Sequence, residues 1–258
     1  MTFCPYDSHK KKYERVEIFM VAQSNNMIYF LLHPAGGSNL TMRGINKCLK
    51  ANGCEVYAID LPGHGELIEQ APFYEFDIAV GYLSRMIKNI VVSTEDEFCI
   101  VGHSMGGLLA YAVEHRLEHN YYLQAKKIVV LASSSPDVSA GRLIDNPKEI
   151  SDLELISKVS KLGGIPESVQ KSKELLEILC PVLRADFILL NSYHERKAEG
   201  NEVASDLVVM TGKQDVIIND KEIVGWKKFT LGKYQQVSFE GNHFFYQQCE
   251  KRVCEEMK

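Results

Sequence analysis

Short, continuously hydrophobic runs recur along the chain, and stretches with helical periodicity separate them. Continuous rather than alternating hydrophobicity is typical of parallel strands that helices cover on both faces of a sheet. An alternating run at 16–20 predicts an edge strand. The pattern as a whole predicts an α/β fold with a mostly parallel sheet. The predicted sheet strands are 27–32, 55–59, 98–101, 128–131, 207–210 and 234–239.

Helical patterns fill the intervals between these strands. Residues 74–92 place apolar side chains at helical spacing, and 105–118 and 244–257 are further predicted helices. The interval 137–204 breaks the alternation, because it is mostly helical in pattern and contains no run typical of a strand. A structureless segment of that length is uncommon in a compact domain. We therefore predict one domain over 1–258, with a helical lid at 137–204 above the carboxyl ends of the strands.

Composition restricts the classes of function. Hydrophobic residues make up 45% of the 258 positions and charged residues 24%, as in an ordinary globular chain. A net charge of −5 provides no attraction to nucleic acid, and no apolar run is long enough for a membrane helix. The seven cysteines show no zinc-binding spacing, so we expect reduced thiols in a cytoplasmic protein and no metal site.

The pentapeptide GHSMG at 102–106 lies between the predicted strand at 98–101 and the helix that follows it. A G-x-S-x-G motif at such a junction is typical of the nucleophile elbow of α/β-hydrolases. The tight turn strains the backbone of the serine, and small residues two positions away on either side avoid clashes. The helix N-terminus then directs free N–H groups at developing negative charge. We predict Ser104 as the nucleophile and the N–H of Met105 as one oxyanion donor.

A second loop, HPAGGS at 33–38, directly follows the predicted strand at 27–32. In the hydrolase fold, the loop at this place supplies the other oxyanion N–H group. Its glycines let the backbone approach a substrate closely. Ala35 is the predicted donor, and Gly36 is the alternative.

The general base of this fold is a histidine in the loop after the last strand, and His243 occupies that place. The mechanism also needs an acid that orients the imidazole and stabilises its protonated form. Asp215 follows the strand at 207–210 and gives the chain order Ser, Asp, His. Other residues remain alternatives: for the base, His33 and His64; for the acid, Asp137 and the weaker candidate Asp220, which is also suited to start a helix.

Together these motifs resemble the type II thioesterases, the α/β-hydrolases that accompany polyketide synthases and nonribosomal peptide synthetases. The similarity covers roughly residues 27–248 and extends beyond the elbow to the lid and the last loops. The motifs that carry it are LGGIPE at 162–167, LRADF at 183–187, GW at 225–226 and GNHFF at 241–245. Apolar lid positions are expected in the lid's core more than in a pocket wall: Ile165, Leu179, Leu183 and Phe187.

The resemblance implies an α/β-hydrolase that uses no cofactor, with Ser104, Asp215 and His243 as its catalytic residues. It implies oxyanion N–H groups from Met105 and Ala35. The implied substrate is an acyl thioester on the phosphopantetheine arm of a carrier protein, with the lid controlling entry. The implied role is the removal of stalled or wrong acyl groups from an assembly line. A monomer is expected, with neither nucleic acid nor a membrane as partner.

Two places depart from the family's pattern. Pro34 and Ala35 are adjacent where the family has an aromatic residue between them, so the oxyanion loop is one residue shorter. Asn242 precedes the histidine where the family has glycine, and asparagine tolerates left-handed backbone angles better than most residues. The sequence leaves two other functions open: hydrolysis of free small esters by a carboxylesterase or lipase-like enzyme, and non-catalytic binding on the same fold.

Overall fold

The computed structural model describes residues 27–93, 96–138, 144–161, 163, 165, 167–194 and 202–258. The edge strand predicted at 16–20 lies outside these residues. Parts of the LGGIPE motif and of the lid interval 137–204 also lie outside them, so the bounds of the lid stay a prediction.

All six predicted sheet strands are present, and each neighbouring pair is parallel. They are β1 (Ile28–Leu32), β2 (Glu55–Ile59), β3 (Phe98–His103), β4 (Lys127–Leu131), β5 (Asp206–Gly212) and β6 (Tyr234–Phe239). Across the sheet the order is β2-β1-β3-β4-β5-β6. The predicted α/β fold class is confirmed.

Helices connect the strands, as parallel pairing requires. They are α1 (Arg43–Ala51), α2 (Phe76–Ile90), α3 (Met105–Arg116), α4 (Asp152–Lys161), α5 (Glu167–Gln170), α6 (Lys173–His194), α7 (Asp220–Val224) and α8 (Glu250–Glu256). The single helix predicted at 244–257 is wrong in one respect. A 3-10 turn at Phe245–Gln248 and α8 are separated by Cys249, whose backbone is not helical (φ −144°).

Side chains of each strand alternate between the two faces of the sheet. Phe30 and Leu32 of β1 join a core that contains residues of α2 and α3. Tyr29 and Leu31 join the opposite core, which contains residues of α1 and α8. Because both faces are covered, the hydrophobic runs of β1, β4 and β5 are buried, and this explains the unbroken runs in the sequence.

The strand order places the functional loops. The chain moves from β1 to β2 on one side and then to β3 on the other, so β1 and β3 flank a reversal of the winding direction. In open α/β sheets, ligands bind outside the carboxyl ends of the strands at such a switch point. The HPAGGS loop follows β1 and the GHSMG elbow follows β3, so both candidate loops lie there.

Helices α4 and α6 pack together above this edge of the sheet and share a small core of their own. Ile165, Leu183 and Phe187 are buried members of that core, and Leu179 packs against it. These four residues therefore lie where the sequence predicts, although Phe187 also reaches a cavity described below. Within the described ranges, no helix has both the length and the apolar character needed to cross a bilayer.

Candidate active site

The elbow at 102–106 has the strained geometry that its sequence predicts. Ser104 has a left-handed backbone (φ 54°, ψ −115°), and its N–H donates to the carbonyl of Leu131 at 2.8 Å. A Cβ atom added to Gly102 would overlap the carbonyl of Gly106, and one added to Gly106 would overlap that of Leu32. Both glycines are therefore required for the close contact between the elbow, helix α3 and strand β1.

Helix α3 begins immediately after Ser104, so the N–H of Met105 has no carbonyl within the helix to bond. The positive end of the helix dipole lies at the same place. Ser104 and Met105 both line a cavity of about 60 Å³, and Phe187, Leu190 and Asn191 of α6 line it on the lid side. A negatively charged oxygen formed on Ser104 would thus meet a free N–H group in this cavity.

The HPAGGS loop lies beside the elbow because of the sheet register, in which Leu32 of β1 pairs with Gly102 of β3. The structure separates the two candidate donors in this loop. The N–H of Gly36 donates to the Asp186 carboxylate at 2.7 Å, so it is already used. The N–H of Ala35 has no acceptor among the described residues. The geometry therefore favours Ala35 over Gly36 as the second oxyanion donor.

Asp215 and His243 form a buried pair. Nδ1 of His243 donates to Oδ2 of Asp215 at 2.8 Å, and the two side chains are only 5% and 2% exposed. The other carboxylate oxygen accepts the backbone N–H groups of Ile217 at 2.8 Å and Ile218 at 3.3 Å. These bonds fix the carboxylate, which in turn holds the imidazole with Nε2 available as a base.

The competing acids occupy other environments. The carboxylate of Asp137 pairs with Lys228 and accepts the Ser135 hydroxyl at 2.8 Å. Burial opposes its charge, but the hydrogen bonds from Lys228 and Ser135 dominate and lower its pKa. Asp220 is the first residue of α7, but the helix is capped by Asn219, whose side chain accepts the N–H of Glu222 at 3.3 Å. Asp215, and not Asp137, is therefore bonded to the candidate base.

The hydroxyl of Ser104 makes no hydrogen bond within the described part of the chain, so the structure does not join it directly to His243. It does place the two residues in adjacent segments. The ring of His103, which precedes Ser104, lies 4.9 Å from the ring of His243. Catalytic hydrogen bonds are often long in unliganded enzymes and tighten when substrate binds.

His103 supports His243 in a way that the sequence does not reveal. Its side chain is completely buried, and Nε2 donates to the backbone carbonyl of His243 at 2.9 Å. Nδ1 faces the Tyr246 hydroxyl at 3.4 Å, which therefore donates to it. Burial and the nearby His243 lower the pKa of His103 well below its usual range. His103 is thus a neutral residue that holds the loop of the candidate base.

The turn before His243 contains a residue with a positive φ angle, but that residue is not Asn242. Gly241 has the positive φ, 121°, whereas Asn242 has none. The side chain of Asn242 instead accepts the N–H of Phe244 at 2.9 Å. Asn242 therefore does not need a left-handed conformation, because Gly241 already provides it.

The other loop histidines, His33 and His64, form a separate cluster with the lid. Their rings are in contact, with centroids 4.5 Å apart and planes tilted by 36°. Nε2 of His64 bonds the Asp186 carboxylate at 2.9 Å, and the same oxygen of Asp186 accepts the N–H of Gly36. Asp186 lies on lid helix α6, so this contact joins the lid to the oxyanion loop. We refer to His64, Asp186 and Gly36 as the lid latch.

The two histidines of this cluster have opposite pKa shifts. Burial and the neighbouring His64 lower the pKa of His33. Its Nδ1 donates to the Pro34 carbonyl at 2.9 Å and its Nε2 accepts the Leu61 N–H at 3.3 Å, which requires a neutral ring. For His64, burial opposes the charge, but the hydrogen bond and attraction of Asp186 outweigh it and raise the pKa. Neither ring bonds to Asp215.

Asp60, which follows β2, has a structural role. Its carboxylate accepts the backbone and side-chain N–H groups of Asn39 at 2.6 and 2.9 Å, and the N–H of Glu66 at 3.1 Å. It therefore holds together the segments that contain Asn39 and Glu66. Within the described residues, no group of three or more histidine, cysteine or acidic side chains could hold a metal ion. The described cysteines are free thiols.

Comparison with known proteins agrees with this geometry. Residues 28–258 match the family model of the thioesterase domain. AMB antimetabolite synthetase AmbE of Pseudomonas aeruginosa is 30% identical over 225 residues, which are 86% of this chain but 10% of AmbE. This chain thus spans about a tenth of the length of that relative. Probable anguibactin biosynthesis thioesterase AngT of Vibrio anguillarum is 26% identical over 234 residues, 89% of this chain and 90% of AngT.

Among solved structures, the type II thioesterase BorB from the borrelidin biosynthetic cluster superposes with a TM-score of 0.79 at 24% identity. The superposition covers 90% of this chain and 91% of BorB, and it confirms the α/β-hydrolase fold. The family match extends from the first residue of β1 to the end of the chain, through both candidate loops and the histidine motif. The chain therefore belongs to the thioesterase family, as the resemblance of its motifs predicts.

Proposed function

We propose that this chain hydrolyses acyl thioesters held on the phosphopantetheine arm of carrier proteins, with Ser104 as nucleophile, His243 as base and Asp215 as the orienting acid. The observation that carries the proposal is the buried Asp215–His243 hydrogen bond at 2.8 Å, next to a serine in a strained elbow. In a member of the thioesterase family, this combination supports acyl transfer through a serine ester. The chain would act on its own, editing stalled acyl groups on a polyketide or nonribosomal peptide assembly line.

In the first step, Nε2 of His243 takes the proton of the Ser104 hydroxyl while Oγ attacks the thioester carbonyl. The carbonyl oxygen becomes negative and accepts the N–H groups of Met105 and Ala35, each typically worth about 3 kcal/mol to the transition state. The intermediate collapses, the carbon–sulfur bond breaks, and the imidazolium of His243 gives its proton to the departing thiolate. The acyl group remains as an ester on Ser104.

In the second step, water replaces the thiol. His243 takes a proton from that water, and the hydroxide attacks the ester carbonyl in the same oxyanion site. The bond to Oγ breaks, the proton on His243 returns to Ser104, and the carboxylic acid leaves. Asp215 keeps Nδ1 as the donor throughout, so Nε2 faces the reacting atoms in both steps. No metal or cofactor takes part in this scheme.

The names of the relatives support the proposed partner. AngT is named as a thioesterase of anguibactin biosynthesis, and BorB comes from the borrelidin biosynthetic cluster. A carrier protein with a phosphopantetheine-linked acyl group is the partner that this similarity suggests. We further propose a monomer in the cytoplasm, which is consistent with the free thiols of the described residues.

A direct test compares acyl-carrier-protein thioesters with free oxygen esters of the same acyl group. The thioesters should give the higher kcat/KM by at least tenfold, and Ser104→Ala should lower kcat by at least about 10⁴-fold without lowering Tm. Preference for the free esters would favour a carboxylesterase. Normal turnover by Ser104→Ala would disprove the assignment of the nucleophile.

Labelling with a fluorophosphonate probe tests the non-catalytic alternative. Such probes react with serines that an adjacent base activates, so Ser104 should be modified in the folded wild-type protein. Labelling should be lost in Ser104→Ala and strongly reduced in His243→Ala. An unlabelled Ser104 in folded protein would indicate a binding module on a hydrolase fold.

A further inference from the structure

The predicted oxyanion donor Ala35 lies at the centre of a tight turn. The N–H of Gly37 donates to the carbonyl of Pro34 at 3.0 Å, so residues 34–37 form a β-turn with Ala35 and Gly36 in the middle. Gly36 has a φ of 69° and Ala35 has no positive φ, which is the combination found in a type II turn. The position of the Ala35 N–H is therefore set by how the peptide groups of this turn are held.

The peptide group that precedes the Cα atom of Ala35 is held by His33. Within the described residues no peptide bond is cis, so the carbonyl of Pro34 and the N–H of Ala35 belong to one planar group and point in opposite directions. Nδ1 of the buried His33 ring donates to that carbonyl at 2.9 Å, and Nε2 accepts the N–H of Leu61 at 3.3 Å. By fixing the carbonyl, His33 also fixes the direction of the Ala35 N–H.

The peptide group that follows the Cα atom of Ala35 is held by the lid. Its N–H, that of Gly36, donates to Oδ2 of the buried Asp186 on α6 at 2.7 Å. The same helix packs directly on the turn, because a Cβ atom added to Gly36 would overlap the side chain of Leu183. A lid residue therefore fixes the carbonyl side of Ala35.

The turn needs such support because of its sequence. Ala35 is followed by Gly36 and Gly37, and glycine has more backbone freedom than any other residue. An oxyanion donor is most effective when it is already fixed where the negative charge will develop, so that nothing has to reorganise during the reaction. The bonds from His33 and Asp186 supply that fixation from opposite sides of the turn.

We propose that His33 and Asp186 are positioning residues for the oxyanion site, which hold the two peptide groups on either side of Ala35. The inference rests on the proposed function, because the oxyanion arises when Ser104 attacks the thioester carbonyl. Both residues act through the backbone rather than on the substrate. The lid thus contributes to the chemical step as well as covering the site.

The test starts from Ala35→Pro, which removes the N–H itself. Proline is common at the second position of a type II turn, so the turn should survive. With butyryl-pantetheine as substrate, kcat should fall by about 10²–10³-fold, the usual effect of losing one oxyanion donor. KM should change little, because the lost interaction is made only in the transition state. A kcat equal to that of wild type would show that Ala35 is not the donor and would overturn the inference.

Two pairs of variants then examine the positioning residues. His33→Phe keeps a ring but cannot donate to Pro34, and Asp186→Ala cannot accept the N–H of Gly36. Each should lower kcat by at least about 30-fold with little change in KM. His33→Asn retains an amide donor near the place of Nδ1, and Asp186→Asn retains an oxygen acceptor. Both asparagine variants should recover kcat to within about tenfold of wild type, and a failure of both to recover would contradict the proposal.

Arg184→Met is the matched control for the packing of the lid. Arg184 lies on α6 two residues before Asp186, but it bonds the Asp152 carboxylate and the Pro147 carbonyl rather than the oxyanion turn. This variant should lose Tm and keep kcat within about threefold of wild type. If its kcat fell as far as that of Asp186→Ala, the effect of Asp186 would be one of lid packing and the inference would be wrong.

Double variants test whether the two residues act through the Ala35 N–H. In the Ala35→Pro background this N–H is absent, so nothing remains for His33 and Asp186 to position. Adding His33→Phe or Asp186→Ala should then lower kcat by less than about threefold further, since residues that act through one group are not additive. Losses as large as those in the wild-type background would rule out the proposed route.

Fluorophosphonate labelling of Ser104 separates this inference from the proposed function. The phosphonyl oxygen enters the oxyanion site as Oγ attacks phosphorus, so the labelling rate should fall in His33→Phe and Asp186→Ala and recover in the asparagine variants. If wild type is labelled at Ser104 but hydrolyses no thioester, the proposed function fails and these rates still decide the inference. Equal labelling rates in all variants would overturn the inference alone, and an unreactive Ser104 would overturn both.

Discussion

Two buried histidine–aspartate pairs lie at this end of the molecule and have nearly the same geometry. In one, His243 bonds Asp215 at 2.8 Å, and in the other, His64 bonds Asp186 at 2.9 Å. All four side chains are 5% exposed or less. The contact distance and the burial therefore do not distinguish a candidate base from a structural contact.

The second ring nitrogen makes the difference. Nδ1 of His64 faces the Pro62 carbonyl at 3.2 Å, so both of its nitrogens meet acceptors and the ring is best satisfied as an imidazolium. Nε2 of His243 meets no acceptor within the described residues, so it is free to take and release a proton. A general base needs one ring nitrogen without a hydrogen-bond partner, whereas His64 in the lid latch uses both of its ring nitrogens in hydrogen bonds.

The largest expected effect on activity is that of Asp215→Asn, which tests whether the Asp215–His243 pair is the catalytic one. The asparagine amide would donate to Nδ1 of His243 and leave a proton on Nε2, where the mechanism needs a lone pair. We expect kcat to fall by about 10⁴-fold, as in other Ser-His-Asp enzymes. Stability should change little, because the carbonyl oxygen of the asparagine can still accept the N–H groups of Ile217 and Ile218. Steady-state thioester hydrolysis and thermal unfolding measure the two effects.

Asp137→Asn is the matched control for that experiment. Asp137 is also an aspartate after a central strand, but it bonds Lys228 and Ser135 rather than a histidine. Its substitution should leave kcat within a few-fold of wild type. If Asp137→Asn lost as much activity as Asp215→Asn, the choice of the acid from geometry would be wrong.

The sequence predicts the first pair far better than the second. Asp215 and His243 each follow a predicted strand, β5 and β6 respectively, so their positions in a parallel sheet bring them to the same edge. Asp186 lies on a lid helix, 122 positions from His64, and no periodicity relates the two. The contact depends on how the lid packs against the core, and the sequence pattern does not specify that packing. The orientation of the His103 side chain cannot be predicted from the sequence for the same reason.

The second prediction tests the latch by its stability. Asp186→Asn leaves the buried charge of His64 without its partner, and breaking a buried pair in this way typically costs about 3–5 kcal/mol. For a chain of this size, Tm falls by about 2–4 °C per kcal/mol. The folded variant should keep kcat within about tenfold of wild type, because its side chain can still accept the N–H of Gly36. Asp186→Asn should thus lose stability and keep most of its activity, whereas Asp215→Asn should lose activity and keep its stability.

A double-variant cycle with His64→Gln measures the coupling directly. If the pair acts as a unit, the double variant should be less destabilised than the sum of the two single variants predicts. Additive effects, or a loss below about 1 kcal/mol in Asp186→Asn, would show that the two side chains do not stabilise each other. A loss of kcat comparable to that of Asp215→Asn would remove the distinction between the two pairs.

The smallest expected effect is a dependence of stability on pH that belongs to the latch. Because Asp186 raises the pKa of His64 in the folded state, the folded state binds the proton more tightly than the unfolded state. The stabilisation is complete below the ordinary pKa of histidine, near 6.5, and is lost as pH rises through the folded value. The Tm advantage of wild type over His64→Gln should therefore narrow by a few degrees between pH 5.5 and 8.5.

The Tm of wild type must be compared with that of His64→Gln at each pH, because another buried group titrates over the same pH range. Burial raises the pKa of Glu114 from 4.5 to about 8, so its ionisation also destabilises the folded state as pH rises. Glu114 bonds Ser205 and the N–H of Ala125, whereas His64 bonds Asp186 and the Pro62 carbonyl. The two groups share no partner, so the contribution of Glu114 should cancel when wild type is compared with His64→Gln. A Tm difference that stays constant with pH would show that His64 does not carry its charge in the latch.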